Sequence, residues 1–416
     1  MLIKTILNRI QKFKSFVYDQ VRVEEKPFLA ILIHVAPRAN ARPVCSRCRR
    51  QCPGYDTLTP RRFEFVPLWG IPVFFVYAMR RVHCPACGVV VEAVPWAQGK
   101  SHLTRTYAWF LAKWAKRLAW KDVAGAFMTT WDNVFRSVKM AVAWGLAHRS
   151  LEGITAIGVD EVAWKKGHNY LTLVYQIDTG AKRLLWVGKD RTEATFTKFF
   201  DMLGEARSQL IDFVCSDMWK PYLKVIAKKA GQALNILDRF HVMALFSKAL
   251  DEVRAKEARD LKEKGLEPVL KHSRWVFLKR PENLTETQET KLADLLRYNL
   301  KSVRSYLLKE EFQRFWEYRS PYWALRFLSK WCTKAMRSKI EPMKKVARTI
   351  RAHKDLIGNW FKARGVISLG AVEGLNTKVK VTTRKSYGFR TFQGVQIALY
   401  HALGDLPEPK TTHRFC

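Results

Sequence analysis

The sequence predicts an α+β multidomain protein whose central α/β core, with a mixed sheet, is interrupted by a mainly helical insertion. Two observations carry this prediction: strand and helix patterns alternate between residues 154 and 240, and long charged helical sequence follows over 247–363. A third observation, two CxxC pairs near the N-terminus, predicts a small separate domain in front of the core. We therefore expect several domains within the 416 residues.

The composition is that of a strongly basic globular protein. Lys and Arg number 73 against 37 Asp and Glu, a net charge of +36, and the cations are spread along the chain. Such a surface attracts polyanions, so we expect nucleic acid as the partner, although an RNA-associated protein without chemistry has the same composition. No uncharged apolar run is long enough to cross a bilayer and the N-terminus does not resemble a secretory signal, so we expect no membrane association and a cytoplasmic location.

The cysteines are concentrated in the N-terminal part of the chain. Two thiolates at CxxC spacing can bind one ion from a tight turn, and two such pairs complete a tetrahedral site. Aromatic and β-branched residues between the pairs predict strands, so residues 1–97 are predicted to form a zinc ribbon with a structural Zn²⁺. Buried free thiols are the alternative, and Cys52 or His83 lies near enough to replace a ligand. The four predicted ligands are Cys45, Cys48, Cys84 and Cys87.

Residues 98–150 have helical periodicity. A helix is predicted from about residue 101, a short one over 121–128 and a longer one from Trp131, with Thr129 and Thr130 as candidate caps. A short helix, a tight turn and a second helix with basic residues near its start predict a helix-turn-helix DNA-binding domain. An ordinary helical hairpin has the same pattern.

Residues 154–240 contain an ordered series of elements. Three β-rich runs, 154–164, 169–178 and 182–190, are joined by short polar turns. Next come a helix over 192–210, a strand over 211–217, a helix over 220–230 and a strand over 234–240. This order is that of the ribonuclease-H-like fold, which we predict for 151–245 together with 366–405.

Two carboxylates follow apolar strand sequence in this series, Asp160 after the first strand and Asp217 after the fourth. If these strands are neighbours, the carboxylates converge at the sheet edge, where α/β proteins place ligand-binding groups. Paired carboxylates hold the divalent cations that phosphodiester chemistry uses, whereas a single Asp there is usually a turn former. Asp238 and His241 form a further pair, which either closes the last strand onto its helix or orients the metal ligands.

A third carboxylate is expected from a later helix, and Glu373 fits this position. Asn376 and Lys380 follow it by three and seven residues, so all three share one helical face. A metal ligand beside two DNA-contact candidates, Asn376 and Lys380, would suit such a stripe. Periodicity alone fits Glu341, or another glutamate in a predicted helix, equally well.

Residues 246–365 separate the second acid from the third and are predicted to form long helices. We interpret them as a helical insertion domain that contacts DNA or a partner subunit, or that serves only as a structural support. Tryptophans in such a domain are more often core residues than platforms for base stacking. The segment contains Trp275, Trp316, Trp323, Trp331 and Trp360.

Together these motifs resemble the DDE transposases of bacterial insertion sequences, in particular the ISL-three lineage with an N-terminal zinc ribbon. One departure is Arg49, after Cys48, where the family usually has Gly. The resemblance implies Asp160, Asp217 and Glu373 as a catalytic triad that binds two Mg²⁺ or Mn²⁺ ions. The matching stretches follow in order over nearly the whole chain: Gly158–Glu161, Ser216–Trp219, Leu237–Val242, Val372–Lys378 and Tyr387–Phe392.

The resemblance also implies a function. It indicates a bacterial, nucleoid-associated enzyme that binds the terminal inverted repeats of its element and target DNA, as a homodimer on paired ends. Metal-assisted cleavage would expose a 3′-hydroxyl, which then attacks the target strand. Two alternatives are a nuclease of the same fold that never joins strands and a domesticated DNA-binding regulator. The presence of all three acids favours an enzyme over the regulator.

Overall fold

The computed structural model describes residues 3–165, 167–265, 269–363, 370–386 and 388–410. The chain divides into two compact units, residues 1–150 with 379–416 and residues 151–378. The division into a zinc ribbon, a helix-turn-helix, a core and an insertion remains a prediction. Tyr387 of the last family-like stretch and residues 366–369 of the predicted core lie outside the described residues.

The first unit begins with a helix and a five-stranded sheet. The strands have the order β1-β2-β4-β3, with β5 paired to β4, and only β2 and β4 run parallel. Aromatic side chains form its core, in which the fully buried Trp96 packs against Phe13 and Phe16. The strands predicted between the CxxC pairs are present. The elements are α1 Ile3–Ile10, β1 Phe16–Glu24, β2 Ala30–Pro37, β3 Gly54–Leu68, β4 Ile71–Cys84 and β5 Gly88–Val91.

Three helices follow in this unit: α2 Arg105–Ala115, α3 Trp120–Ala126 and α4 Trp131–His148. Thr130 caps α4, because its hydroxyl accepts a hydrogen bond from the amide of Asn133. The Asn133 side chain in turn donates to Glu64 of β3 at 3.3 Å, which attaches the start of α4 to the sheet. The predicted helices are therefore present, and their assignment to a DNA-binding helix-turn-helix stays a prediction.

The second unit begins with the predicted alternation of strands and helices. The single helix predicted over 192–210 is two helices, because Gly204 adopts a φ of 88° and ends the first. The elements are β6 Ala156–Lys165, β7 Asn169–Asp178, β8 Ala181–Lys189, α5 Glu193–Leu203, α6 Glu205–Ser208, β9 Phe213–Ser216, α7 Lys220–Lys229 and β10 Leu234–Leu237.

These five strands form one mixed sheet in the order β10-β9-β6-β7-β8. The pairs β10–β9 and β9–β6 are parallel, and the pairs β6–β7 and β7–β8 are antiparallel. The first and fourth strands of the series, β6 and β9, are therefore neighbours, which is the condition on which the convergence of Asp160 and Asp217 depended. Buried aromatic residues of α5 and α7, among them Phe196 and Tyr222, pack with this sheet to form its core.

Helices predominate among the described residues in the rest of the second unit. Trp316, Trp331 and Trp360 are buried, whereas Trp275 and Trp323 are more than half exposed, so most but not all of the tryptophans are core residues. Helix α14 returns to the sheet, where the side chain of Asn359 donates a hydrogen bond of 2.9 Å to the carbonyl of Asn235 in β10. The helices are α8 Arg239–Glu263, α9 Arg274–Leu278, α10 Glu286–Leu296, α11 Lys301–Gln313, α12 Pro321–Arg337, α13 Glu341–Ala352 and α14 Lys354–Ala363.

Two further helices follow, α15 Ala371–Lys385 and α16 Phe392–Leu403, and α16 packs against α4 in the first unit. Among the described residues, no helix is both long enough and apolar enough to cross a membrane.

Candidate active site and metal centre

Three aspartates lie side by side at the carboxyl end of the parallel strands. Gly158 of β6 pairs with Cys215 of β9, so Asp160 and Asp217 are each two residues beyond this pair. Leu237 of β10 pairs with Ser216, which places Asp238 level with Asp217. Because parallel strands in register end at one edge, the sheet aligns all three carboxylates there. Strand β6 continues through Asp160 to Lys165, so only Asp217 and Asp238 follow their strands directly.

Asp160 is almost completely buried, with 7% of its surface exposed. Its Oδ1 accepts a hydrogen bond of 2.7 Å from the amide of Glu161 and lies 3.6 Å from Nε2 of His241. Its Oδ2 accepts a hydrogen bond from the side-chain amide of Asn376. The protein therefore fixes the orientation of this carboxylate through three separate elements, β6, α8 and α15.

Helix α15 approaches the sheet closely at this point. Gly158 and Asp160 share one face of β6, and Tyr175 lies opposite Gly158 on β7. A Cβ added to Gly158 would overlap Cγ2 of Val372, so the missing side chain allows α15 to lie close to the sheet. The Asn376 carbonyl accepts a hydrogen bond of 2.7 Å from the hydroxyl of the buried Tyr175, which leaves the amide nitrogen to donate to Asp160.

Glu373 lies one helical turn before Asn376 and is exposed. Its neighbours Val372 and Asn376 both contact β6, so Glu373 begins from the same sheet edge. Burial raises the pKa of Asp238, and the negative charge of Glu373 adds a smaller contribution in the same direction. The side-chain oxygens of Asp160, Asp217 and Glu373 are not all within 4.8 Å of one another. Among the described residues, only the four cysteines discussed below form so tight a group of three or more ligand atoms.

The other groups in the row are perturbed by burial and by one another. Burial, followed by the negative charges of Glu161 and Asp160, raises the pKa of Asp217 to about 6, although the amide of Trp219 donates to its Oδ1 at 2.9 Å. Burial likewise raises the pKa of Asp238, which caps α8 through the amide of Phe240.

His241, on the first turn of α8, supplies positive charge to this edge. The nearby carboxylate of Asp160 raises the pKa of His241 to about 9, against the opposing effect of burial. The predicted pair Asp238 and His241 thus has separate contacts in the structure: Asp238 caps the helix and His241 faces Asp160. Whether either residue supports the metal ligands remains a prediction.

Sequence reasoning missed an ion pair beside the aspartates. Arg191 donates to Oε1 of Glu161 at 2.6 Å, and its guanidinium lies over the rings of Tyr170 and Trp219 at 4.1 and 4.7 Å. The second carboxylate oxygen of Glu161 is buried and has no hydrogen-bond partner. The sequence shows Glu161 directly after Asp160, but an arginine that follows a strand, as Arg191 does, is too common to predict an ion pair with Glu161.

The chemistry of these residues fits a divalent cation of the Mg²⁺ or Mn²⁺ type. Such ions take carboxylate oxygens, and they relieve the repulsion among acids that share one edge. The raised pKa of Asp217 and the partnerless buried oxygen of Glu161 indicate negative charge that the protein itself does not fully neutralise. Asp160, Asp217 and Glu373 are the residues that could hold these ions.

The two CxxC pairs come together in the first unit. The Sγ atoms of all four cysteines lie within 4.8 Å of one another, and those of Cys48 and Cys84 are 3.5 Å apart. Tetrahedral zinc with Zn–S bonds of about 2.3 Å holds its sulfurs roughly 3.8 Å apart, so the cluster has the right size and chemistry for Zn²⁺. The members are Cys45, Cys48, Cys84 and Cys87.

Neither candidate substitute belongs to this cluster. Cys52 is buried, and its thiol donates to the carbonyl of Arg50 at 3.5 Å. His83 is exposed and precedes Cys84 on β4, so its side chain points to the other face of the strand. Arg49, at the position where the resemblance predicted Gly, has a φ of 62°, which is the left-handed conformation that glycine adopts most easily.

Comparison with known proteins identifies the family. Residues 157–399, more than half of the chain, match the model of the ISL3 family of DDE transposases, which is described as "Transposase". The chain belongs to the ISL3 transposase family. The matched region begins at the second residue of β6 and extends through β10, the helical segment and α15, and so includes all three predicted acids.

Two relatives in this family extend the similarity over most of the chain. One is the transposase for insertion sequence element IS1001 from Bordetella parapertussis, 28% identical over 393 residues, which are 94% of this chain and 96% of the relative. The other is the transposase for insertion sequence element IS1557 from Mycobacterium tuberculosis, 29% identical over an alignment of 414 residues that covers 91% of this chain and 89% of the relative. The resemblance to this family that the sequence motifs indicated is therefore confirmed.

The two DNA-contact candidates on α15 have different surroundings. Asn376 is 9% exposed, and both ends of its amide are bonded to protein groups. Lys380, one turn further on, is exposed. Their predicted role in DNA contact remains a prediction, and Glu341, the alternative to Glu373, forms ion pairs with Lys344 and Arg348 on α13.

Proposed function

We propose that this ISL3-family protein binds the terminal inverted repeats of its insertion sequence and cuts and joins DNA strands at a DDE site. Asp160, Asp217 and Glu373 are the catalytic acids, and two Mg²⁺ or Mn²⁺ ions are the cofactors. The observation that carries the proposal is the alignment of Asp160 and Asp217 on neighbouring parallel strands, with α15 fixed against them by Asn376.

Each residue has a defined task in this proposal. When bound, the ions would activate the attacking oxygen and stabilise the leaving oxygen of the phosphodiester. Asn376 and the amide of Glu161 hold the Asp160 carboxylate in one orientation, and the amide of Trp219 does the same for Asp217. No Ser or Tyr nucleophile is needed, because water and then the 3′-hydroxyl of the DNA supply the attacking oxygen.

The first unit would recognise the ends of the element. The outer face of α4 carries the exposed residues Trp131, Arg136 and Lys139, which suit a helix that lies against DNA. The ribonuclease-H-like assignment of the core, the homodimer on paired ends and the nucleoid-associated location belong to the same proposal.

A strand-transfer assay tests the proposed chemistry. Labelled terminal-repeat DNA, target DNA and Mg²⁺ should give joined product with the wild type and none with Asp160→Asn, Asp217→Asn or Glu373→Gln, while binding of the repeat is retained. Asp201→Asn is the matched control, because Asp201 lies on α5 and pairs with Lys229. Cleavage without joining would indicate a nuclease, and binding without cleavage a regulator.

Metal analysis tests the proposed structural zinc. Cys84→Ser should lose about one equivalent of zinc and unfold the N-terminal sheet, because a site with three thiolates holds the ion weakly. Cys52→Ser and His83→Ala should keep the zinc, since neither residue belongs to the cluster. Full zinc occupancy in Cys84→Ser, or loss of zinc from the Cys52 variant, would contradict the assignment.

A further inference from the structure

A basic groove lies between α11 and α12 in the helical segment. It shares no lining residue with the row of aspartates. Its volume is about 1100 Å³, and Leu307 and Leu308 are its apolar lining residues. Six cationic side chains line it and only one acidic side chain, Glu311, does so. The cations are Arg304, Arg314, Arg326, Lys330, Lys334 and Arg337.

The protein leaves most of this positive charge without a counter-ion. Lys334 pairs with Glu311 at 2.8 Å. Within the described part of the chain, none of the other five cations has a carboxylate within ion-pair distance, although Arg304 donates to the carbonyl of Ser338. Unneutralised cations that share one concave surface repel one another, so the groove is built for an anionic partner.

The cations on α12 form a line. Arg326, Lys330, Lys334 and Arg337 follow one another at intervals of four, four and three residues, which keeps them on one face of the helix. Eleven residues of α-helix rise about 16 Å. Successive phosphates of one strand of duplex DNA rise about 3.4 Å along the axis but also wind around it, so a straight line of this length meets roughly two or three of them.

We propose that this groove binds the sugar–phosphate backbone of duplex DNA at a distance from the site of cutting. The inference rests on the proposed function, because it assigns a second contact surface to the same DNA substrate. Single-stranded DNA is disfavoured as the occupant, because proteins bind it with aromatic stacking platforms. None of the described residues that line the groove is aromatic.

The salt dependence of binding measures the number of phosphate contacts. The full-length protein is titrated with a duplex that lacks the terminal repeat, by fluorescence anisotropy between 50 and 300 mM NaCl. Each phosphate contact contributes about 0.9 to the slope of log Kobs against log[NaCl], so the loss of two contacts in Lys330→Ala/Arg337→Ala should make this slope shallower by about 1.8. Binding by this variant at 0.1 M NaCl should be at least tenfold weaker than that of the wild type.

The matched control removes one arginine and one lysine from another surface of the same helical segment. Arg259 and Lys262 are exposed on α8 and do not line the groove. Arg259→Ala/Lys262→Ala should therefore leave the salt slope within about 0.5 of the wild-type value. An equal change in both double variants, or no change in either, would overturn the proposal.

Photo-crosslinking supplies a second measurement that does not depend on total charge. Leu307 lines the groove and is 51% exposed, whereas Leu296, at the end of α10, is 43% exposed and lies outside it. A benzoylphenylalanine at position 307 should crosslink to duplex DNA, and one at 296 should not. Equal yields at the two positions, or crosslinks at 307 to single-stranded DNA or RNA alone, would refute duplex binding.

The two proposals can fail independently. If the wild type never cleaves terminal-repeat DNA but the salt slope and crosslink results hold, the groove is a DNA surface and the DDE assignment is wrong. If cleavage depends on Asp160 while the groove variants bind and crosslink like the controls, the catalytic proposal stands and the groove proposal fails.

Discussion

Asn376 gives the sharpest test of how the candidate active site is held together. Its side-chain nitrogen donates to Oδ2 of Asp160, and its oxygen accepts a hydrogen bond of 2.7 Å from the hydroxyl of Tyr175. All three side chains are buried, so bulk water is a poor replacement for a protein partner that is removed. Asn376→Ala therefore removes two hydrogen bonds and leaves two polar groups without partners.

The cost can be worked out from these contacts. Loss of a hydrogen bond to the Asp160 carboxylate costs about 1.5–3 kcal/mol, and a buried hydroxyl left unsatisfied at Tyr175 costs about 1–3 kcal/mol. We expect Asn376→Ala to lower the free energy of unfolding by about 3 kcal/mol. Tyr175→Phe should cost about 1 kcal/mol, and in the double variant the hydroxyl penalty disappears because no hydroxyl remains.

Urea unfolding of the wild type, both single variants and the double variant completes a double-mutant cycle. The two changes should be coupled by about 1–2 kcal/mol, with the double variant more stable than the sum of the single effects predicts. Asn376→Ala should also reduce strand cleavage, because it releases Asp160, whereas Tyr175→Phe should retain most of it. Strict additivity, within about 0.3 kcal/mol, would refute the proposed hydrogen-bond chain.

Three further predictions concern backbone conformation, packing and pH. Arg49→Gly should stabilise the first unit by about 0.5–1 kcal/mol in thermal unfolding, because Arg49 has a φ of 62°, which glycine adopts at lower cost. Arg50→Gly is the control, and equal destabilisation by both variants would contradict the argument from the φ of Arg49. Gly158→Ala should cost about 1–3 kcal/mol and impair cleavage by displacing α15. Gly374 lies on α15 with open space around it, so Gly374→Ala should be neutral or stabilising. A larger loss of stability in Gly374→Ala than in Gly158→Ala would contradict the packing account. Burial, with the charges of nearby lysines, lowers the pKa of His401 to about 3. Between pH 6.5 and 3 the imidazole is therefore protonated in the unfolded chain but neutral in the folded chain, so stability falls as the pH is lowered. Between pH 6.5 and 5 the wild type should therefore lose about 2 kcal/mol more unfolding free energy than His401→Gln, and parallel pH profiles would contradict this.

Much of the architecture could be predicted from local sequence. The three β-rich runs and the later short strands appear as β6 to β10, because alternating and β-branched patterns specify strands directly. The spacing of two CxxC pairs likewise predicted the cysteine cluster, since four thiolates that share one ion must converge. The neighbouring positions of Asp160 and Asp217 followed only with the added assumption of the sheet order, which the structure bears out.

The remaining features depend on contacts between distant parts of the chain. The break after α5 results from the left-handed conformation of Gly204, and a single glycine in a helical pattern does not reveal its φ. The hydrogen bond between Tyr175 and Asn376 could not be predicted, because about 200 residues separate the two and the helical position of Asn376 does not reveal this partner. Arg191 is similar, because its contacts with Glu161 and two aromatic rings arise from the turn after β8.

The distribution of charge connects the two proposals. The chain carries a net charge of +36, yet its candidate catalytic edge gathers Asp160, Asp217, Asp238 and Glu161. Acids in such a row would repel DNA phosphates if they were the only groups that met the substrate. Cationic surfaces elsewhere, including the groove along α12, must therefore supply the attraction, which leaves the acids available for divalent ions. This division of tasks explains why removal of Lys330 and Arg337 should weaken DNA binding, whereas replacement of Asp160 by Asn should abolish cutting and spare binding.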